Sequence, residues 1–217
     1  AVGLARAGVL PSARDVAGMF AEPRSAYVLY GIEPGLDFAD TAAALKALDA
    51  AKVVAFSHFA CESTRAVADV ILPIGALPEI DATLTNLDGI EQRAHAGGKL
   101  PGQAREGWRV LRALGGELGL PGFEFTDLAG ARAQLEGGRK VEVKAGKAGE
   151  PGQGGLELAL VPAIYRTDAV VRRAAALQAH PLNVEARIVL NPADVAALGE
   201  GGVAKVRGAA GTATLPL

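Results

Sequence analysis

Three short apolar runs separated by helix-like segments constrain the fold of this chain more than any other feature. The runs are AYVLYG (residues 26–31), KVVAFS (52–57) and DVILP (69–73). Each is rich in β-branched and aromatic residues, too short for a helix, and closed by a turn or breaker residue or by a polar loop, which reads as a buried strand. Between the first two lies Asp40–Ala51, an Ala/Leu segment with Leu45 and Leu48 on one face. Between the second and third lies Glu62–Ala68, a second short helix. Strand, helix, strand, helix, strand at this spacing predicts a parallel sheet of the doubly wound α/β type. A further helix is expected upstream over Ser12–Phe20, with Ser12 as N-cap and Asp15 at the third position.

Downstream the pattern changes. Pro78–Gly98 has no strong period and holds turn residues at Asn86, Asp88-Gly89 and Gly97-Gly98, so it reads as a long loop. Gln103–Leu118 predicts an amphipathic helix with Trp108, Leu111, Leu114 and Leu118 at helical spacing, and Thr126–Leu135 another with Thr126 as N-cap. From Glu136 to Gly155 the sequence turns Gly- and Lys-rich and almost empties of large apolar residues. Residues 138–155 are therefore expected to be a linker or exposed hairpin between two parts. Beyond it come an expected strand (Leu156–Pro162), and a helix (Asp168–Gln178) carrying Val171, Ala174, Ala175 and Gln178 on one face. A strand (Ala186–Leu190), a helix capped by Asn191-Pro192 and running to Leu198, and two strands around Gly208–Gly211 complete the pattern. The sole methionine is Met19 and the last residues read as a hairpin stopping mid-sheet. A fragment of a longer polypeptide is the expectation, with unpaired strand edges that favour aggregation in isolation.

Several functions are excluded by composition. The net charge of −2 provides no field for nucleic acid. Lys140, Lys144 and Lys147 are interleaved with Glu142 and Glu150 and lack aromatic neighbours, the mark of a solvated face. A single cysteine, Cys61, excludes a disulfide framework, and an iron–sulfur cluster held by this chain alone would need about four thiolates. No apolar run approaches the roughly 20 residues of a membrane span, so no direct insertion is expected. A signal peptide pattern is likewise lacking.

The residues that could carry chemistry sit after the strands. Gly31-Ile-Glu-Pro-Gly35 follows the first, at the carboxyl edge where parallel sheets bind ligands, but it is neither a dinucleotide fingerprint nor a phosphate loop. Ser57-His58-Phe59-Ala60-Cys61-Glu62 follows the second. A cysteine near a histidine suggests a nucleophile, yet adjacent side chains diverge and no third orienting group is evident. His58, His95 and His180 match no zinc spacing. Glu79 and Asp81 read as capping or solvated acids, and Arg105 and Glu106 as the opening of a helix. No catalytic residue and no metal site are expected.

In order and spacing the chain resembles the molybdopterin-oxidoreductase superfamily. The strand YVLYG leads into a G-x-x-P turn at Gly31–Pro34, KVVAFS follows, and ESTRAVADVILP runs from Glu62 to Pro73. Asn86, Gly89 and Gln92, with Asp88 in the acid slot, resemble an N-x-E-G-x-x-Q signature, and Arg105 and Trp108 an A-R-x-x-W helix. From Leu156 on, with RIVLNPADVAAL, the chain is similar to the superfamily's last, β-barrel domain. The resemblance implies an α/β part over residues 1–137 and the beginning of a barrel over 156–217, both incomplete. Within the superfamily the large iron–sulfur subunits of proton-pumping NADH:quinone oxidoreductase, respiratory complex I, are the closest likeness.

That likeness implies a scaffold in NADH-to-quinone electron transfer, on the cytoplasmic side of a bacterial inner membrane. The partners would be other peripheral-arm subunits and the rest of its own subunit, and the iron–sulfur clusters would lie elsewhere in that parent. Two departures matter for a bound cofactor: Ser57 stands where dinucleotide binders often carry an acid, and Glu33 where the turn usually has Asn. Molybdopterin is therefore not expected. The alternative is a true molybdopterin enzyme of the formate dehydrogenase or nitrate reductase kind, in which Gly31, Glu33, Ser57 and Asn86 would line the dinucleotide. A second alternative is a free-standing interaction domain.

Overall fold

The computed structural model describes residues 2–8, 15–135, 159–198, 202–208 and 211–217. It divides into two compact units, residues 1–158 and 159–217. The first opens with helices α1 (Val2–Arg6) and α2 (Val16–Ala21). The cap of α2 differs from expectation. Asp15 is itself the N-cap, its Oδ1 accepting the Gly18 N–H at 2.8 Å, and Ser12 lies outside the described residues.

Strands β1 (Ala26–Tyr30), β2 (Lys52–Ser57) and β3 (Val70–Pro73) form the expected parallel sheet, with α3 (Thr41–Asp49) and α4 (Glu62–Val67) as crossovers. Asp40 caps α3 by accepting the Ala43 N–H at 2.9 Å. Asp69 sets the start of β3, accepting the Val53 N–H at 2.8 Å and the Lys52 ammonium at 2.9 Å. One face of the sheet holds Tyr27, Leu29, Val53 and Ala55, packed with Ala47 and Leu48 of α3. Met19 and Phe20 of α2, Phe38, Val67 and Ile71 close around them. Tyr27 fixes α2 to this face: its hydroxyl donates to the Met19 carbonyl and accepts the Arg24 N–H, both at 2.9 Å.

The opposite face is covered only in part. Phe56 is fully buried there beneath Tyr30, their ring centroids 5.8 Å apart. Val28, Val54 and Val70 lie in register across it, with Val28 60% and Val70 47% exposed. Two expectations are corrected. β1 is a half-buried edge strand in which burial alternates, and the strand order β1-β2-β3 never reverses, so among the described residues the sheet is not doubly wound.

Past β3 the structure is more regular than a loop. Ile74 bridges to Arg105 beyond the strand. Strands β4 (Ala82–Thr85) and β5 (Glu91–Ala94) form an antiparallel hairpin whose turn is closed by Asn86, where a loop was expected. The next helix, α5 (Gly107–Glu117), starts four residues late because Arg105 pairs with the sheet edge. Its buried positions are Gly107, against Tyr30, and Gly115, against the Phe123 ring, while Leu118 is 63% exposed and leaves the expected stripe. Helix α6 (Leu128–Ala133) is capped by Asp127 rather than Thr126, with Oδ1 accepting the Gly130 N–H at 2.7 Å.

The expected linker over residues 138–155 lies outside the described residues. The expected strand over 156–162 lies partly outside the described residues; its described part, 159–162, and the expected strand at 186–190 carry no regular structure, although the Ile188 N–H reaches the Pro216 carbonyl. The Asp168–Gln178 helix is broken into a 3-10 turn at Val171–Arg173 and one turn of α7 (Ala175–Gln178). Side chains compete with the helix for the backbone here. Asp168 Oδ1 accepts both the Val170 and Val171 N–H, and the Gln178 amide donates to the Tyr165 and Val171 carbonyls at 2.8 Å. Asn191 caps α8 (Pro192–Leu198) as expected, through the Ala193 N–H. Strands β6 (Val203–Gly208) and β7 (Gly211–Pro216) form a hairpin, and no closed barrel exists among the described residues.

Candidate functional site

The carboxyl ends of β1 and β2 bring together Gly31, Glu33, Ser57, His58 and Cys61. Gly31 must be glycine twice over: its φ is +65°, and a Cβ would lie 3.1 Å from His58 Nε2. The imidazole thus covers the turn from above, with Nδ1 buried and unpartnered in hydrogen bonding. Glu33 is 3% exposed and Ser57 7%. The Ser57 hydroxyl donates to the Phe59 carbonyl at 2.7 Å, which holds the β2–α4 turn rather than a reacting group.

Most backbone donors of the turn are taken. Gly31 N–H donates to the Phe56 carbonyl at 2.8 Å and Glu33 N–H to Asp37 Oδ2 at 2.7 Å. Gly35 N–H donates to Ser63 Oγ at 3.1 Å, and the Leu36 and Asp37 N–H groups both reach the Glu33 carbonyl. Neither Asp37 nor Ser63 stands out in the sequence, although an acid four residues beyond Glu33 is at the spacing to reach back to its N–H.

Cys61 does not meet His58 in a catalytic pair. Its sulfur shares hydrogen bonds with Ser63 Oγ at 3.3 Å and Thr64 Oγ1 at 3.2 Å. Partial burial pushes the thiol up, but those hydrogen bonds outweigh it, and the thiol titrates below its ordinary range. An open concavity lined by Ala60, Glu62, Arg65 and Ala66 borders α4 and includes none of the buried cluster.

The other singled-out residues make their hydrogen bonds and ring contacts with groups outside this turn. Asn86 bonds within its own turn: Oδ1 accepts the Ile90 N–H at 2.8 Å and its N–H reaches the Ile90 carbonyl. Glu79 Oε2 accepts the Ala76 N–H. Asp81 Oδ1 accepts the Ala96 N–H at 2.9 Å and lies 3.6 Å from His95; the Ala96 bond, then His95, hold its carboxyl below the usual range. Trp108 stands with Phe125, and the Arg109 guanidinium lies 4.4 Å over its ring while pairing with Glu106. Among the described residues no cluster of His, Cys, Asp and Glu has metal-binding geometry.

Residues 9–117, half of the chain, match the molybdopterin oxidoreductase family. The chain belongs to that family. Its curated relatives include the NADH-ubiquinone oxidoreductase 75 kDa subunit of Reclinomonas americana, 42% identical over 64 residues, or 29% of this chain. They also include the mitochondrial 78 kDa subunit of that name from Neurospora crassa, 36% identical over 69 residues and 32% of this chain. The Candida albicans counterpart is 38% identical over 68 residues, 31% of this chain. Each match spans 9% of the relative's length. The resemblance read from the sequence is thereby upheld.

A molybdopterin oxidoreductase implies a phosphate-bearing pterin cofactor, and the carboxyl edge is where a parallel sheet would present backbone N–H groups to it. The residues here do not fit that group. The N–H groups it would need are donated to Asp37, Ser63 and backbone carbonyls, the approach over Gly31 is taken by His58, and Glu33 adds a buried acid to the same turn.

Proposed function

We propose that this chain is part of a large iron–sulfur subunit of NADH:quinone oxidoreductase and serves there as scaffold. The 42% identity over 64 residues to a 75 kDa subunit carries the reading. With one cysteine, the chain contributes at most one thiolate to any cluster, so electron transfer belongs to other parts of the assembly. The chain's part is to build a sheet-based body that packs against the rest of its own subunit and against peripheral-arm neighbours, peripheral to the membrane on its cytoplasmic side. The apolar tip of the β4–β5 hairpin, with Leu87 88% and Ile90 58% exposed, supports a contact role for this segment. Coupling to proton pumping would follow from membership of that assembly.

The family match favours a second reading, a molybdopterin-dependent oxidoreductase with Gly31, Glu33, Ser57 and Asn86 beside the cofactor. Metal analysis of the intact parent protein, purified with its partners, separates the two. Abundant iron without molybdenum or tungsten is expected. Stoichiometric molybdenum or tungsten would overturn the scaffold reading.

A further inference from the structure

We propose that the turn from Gly31 to Asp37 is a phosphate-type anion turn closed from within, with the Asp37 carboxylate in the anion's place and His58 as its cover. The inference goes beyond the assembly the chain belongs to and stands whichever assembly that is.

A turn at the carboxyl end of a parallel strand binds phosphate by pointing unpaired N–H groups at it. Residues 31–37 carry six N–H groups, because Pro34 has none, and five of the six have protein acceptors: those of Gly31, Glu33, Gly35, Leu36 and Asp37. Two of these acceptors are side chains that another residue type would remove. Asp37 Oδ2, an anion, takes the Glu33 N–H at 2.7 Å, a short bond of the charge-assisted kind. Ser63 Oγ takes the Gly35 N–H at 3.1 Å, and the Ser63 side chain lies so close to Gly35 that a Cβ there would touch it at 3.1 Å. His58 completes the closure by lying over Gly31, where glycine would otherwise let a ligand approach the backbone. An incoming phosphate would have to displace a covalently tethered carboxylate, whose local concentration far exceeds that of any free anion. It would also meet the buried acid of Glu33.

The test uses the 217-residue chain and inorganic pyrophosphate, read by thermal melting. The wild type is expected to be indifferent to pyrophosphate. Asp37→Ala leaves the Glu33 N–H without its acceptor, so its melting temperature falls, and pyrophosphate at about tenfold its Kd should restore roughly 3–6 °C. Asp37→Asn, which keeps an acceptor of the same shape, should stay indifferent. Should Asp37→Ala fail to fold, Ser63→Ala carries the test, since it frees the Gly35 N–H without opening the core. A saturable rise in the wild type would overturn the proposal, and so would indifference of the folded acceptor-free variants. Metal content of the parent plays no part in this readout, so failure here and failure of the scaffold reading are told apart.

Discussion

The contact between α5 and the sheet makes a prediction whose sign depends on one neighbour. Gly107 sits at the first turn of α5, and a Cβ there would collide with the Tyr30 hydroxyl and come within 2.7 Å of its ring carbon Cζ. Real Cβ atoms do not approach so closely, so the Tyr30 ring must move. Moving it separates the ring from Phe56, which is fully buried beneath it. Alanine favours a helix over glycine by about 1 kcal/mol. Overpacking costs roughly 1–3 kcal/mol, and losing the aromatic pair about 0.5–1.5 kcal/mol more. Gly107→Ala should therefore destabilise the wild type by roughly 0.5–3.5 kcal/mol, the collision outweighing the helix term. In a Tyr30→Ala background nothing remains to collide with, and the same substitution should be neutral or stabilise by up to about 1 kcal/mol. The double-mutant cycle, measured by urea denaturation, should thus show a coupling near 2 kcal/mol, well above the roughly 0.3–0.5 kcal/mol scatter of independent sites. Equal effects of Gly107→Ala in the two backgrounds, or stabilisation of the wild type, would refute the packing argument.

Three further outcomes follow from local chemistry. Asp40→Ala removes the N-cap of α3, whose Leu48 anchors the core, and should cost about 1 kcal/mol in denaturant melts, against near neutrality for Asp40→Ser. Lys52, then the Val53 N–H, hold the Asp69 carboxyl below its ordinary value; a depressed folded-state pKa stabilises above the unfolded pKa of about 3.9 and is lost as pH falls through the folded one. Asp69→Asn should accordingly narrow the stability difference between pH 7 and acid, and an unchanged pH profile would count against the bond. Alkylation of Cys61 should reach its half-maximal rate at lower pH than a free thiol, and Ser63→Ala or Thr64→Val should move that midpoint up; no movement would remove the hydroxyls as its cause.

The parts of the fold legible in the sequence are those where apolar spacing alone decides. β1, β2, β3, α3 and α4 fall where their runs put them, with the buried apolar core drawn from β1, β2 and α3 and only half-buried residues added from β3 and α4. The β4–β5 hairpin was missed because its strands, ATLT and EQRA, present little apolar surface to either side and so carry no period to read. In the second unit the decisive interactions are side-chain bonds to backbone, from Asp168 and from Gln178, and these break a helix that spacing predicts. At the candidate site, topology alone groups Gly31, Glu33 and Ser57 at one sheet edge. What fills the edge was illegible: the approach of His58 to Gly31 and of Asp37 to Glu33 depends on rotamers and turn geometry, and an aspartate that closes a turn is written with the same letter as one in water.

The valine row across the second sheet face has a use beyond packing. Val28, Val54 and Val70 lie side by side at exposures that a lone chain tolerates, so a polar replacement at Val28 should change the stability of the purified chain by only about 0.5 kcal/mol. In a cell, if another surface lies over that face, the same replacement strands a polar group against apolar neighbours at a cost of roughly 1–3 kcal/mol. The gap between tolerance in the test tube and tolerance in the cell then works as a gauge of cover, read residue by residue along the row, without purifying whatever does the covering.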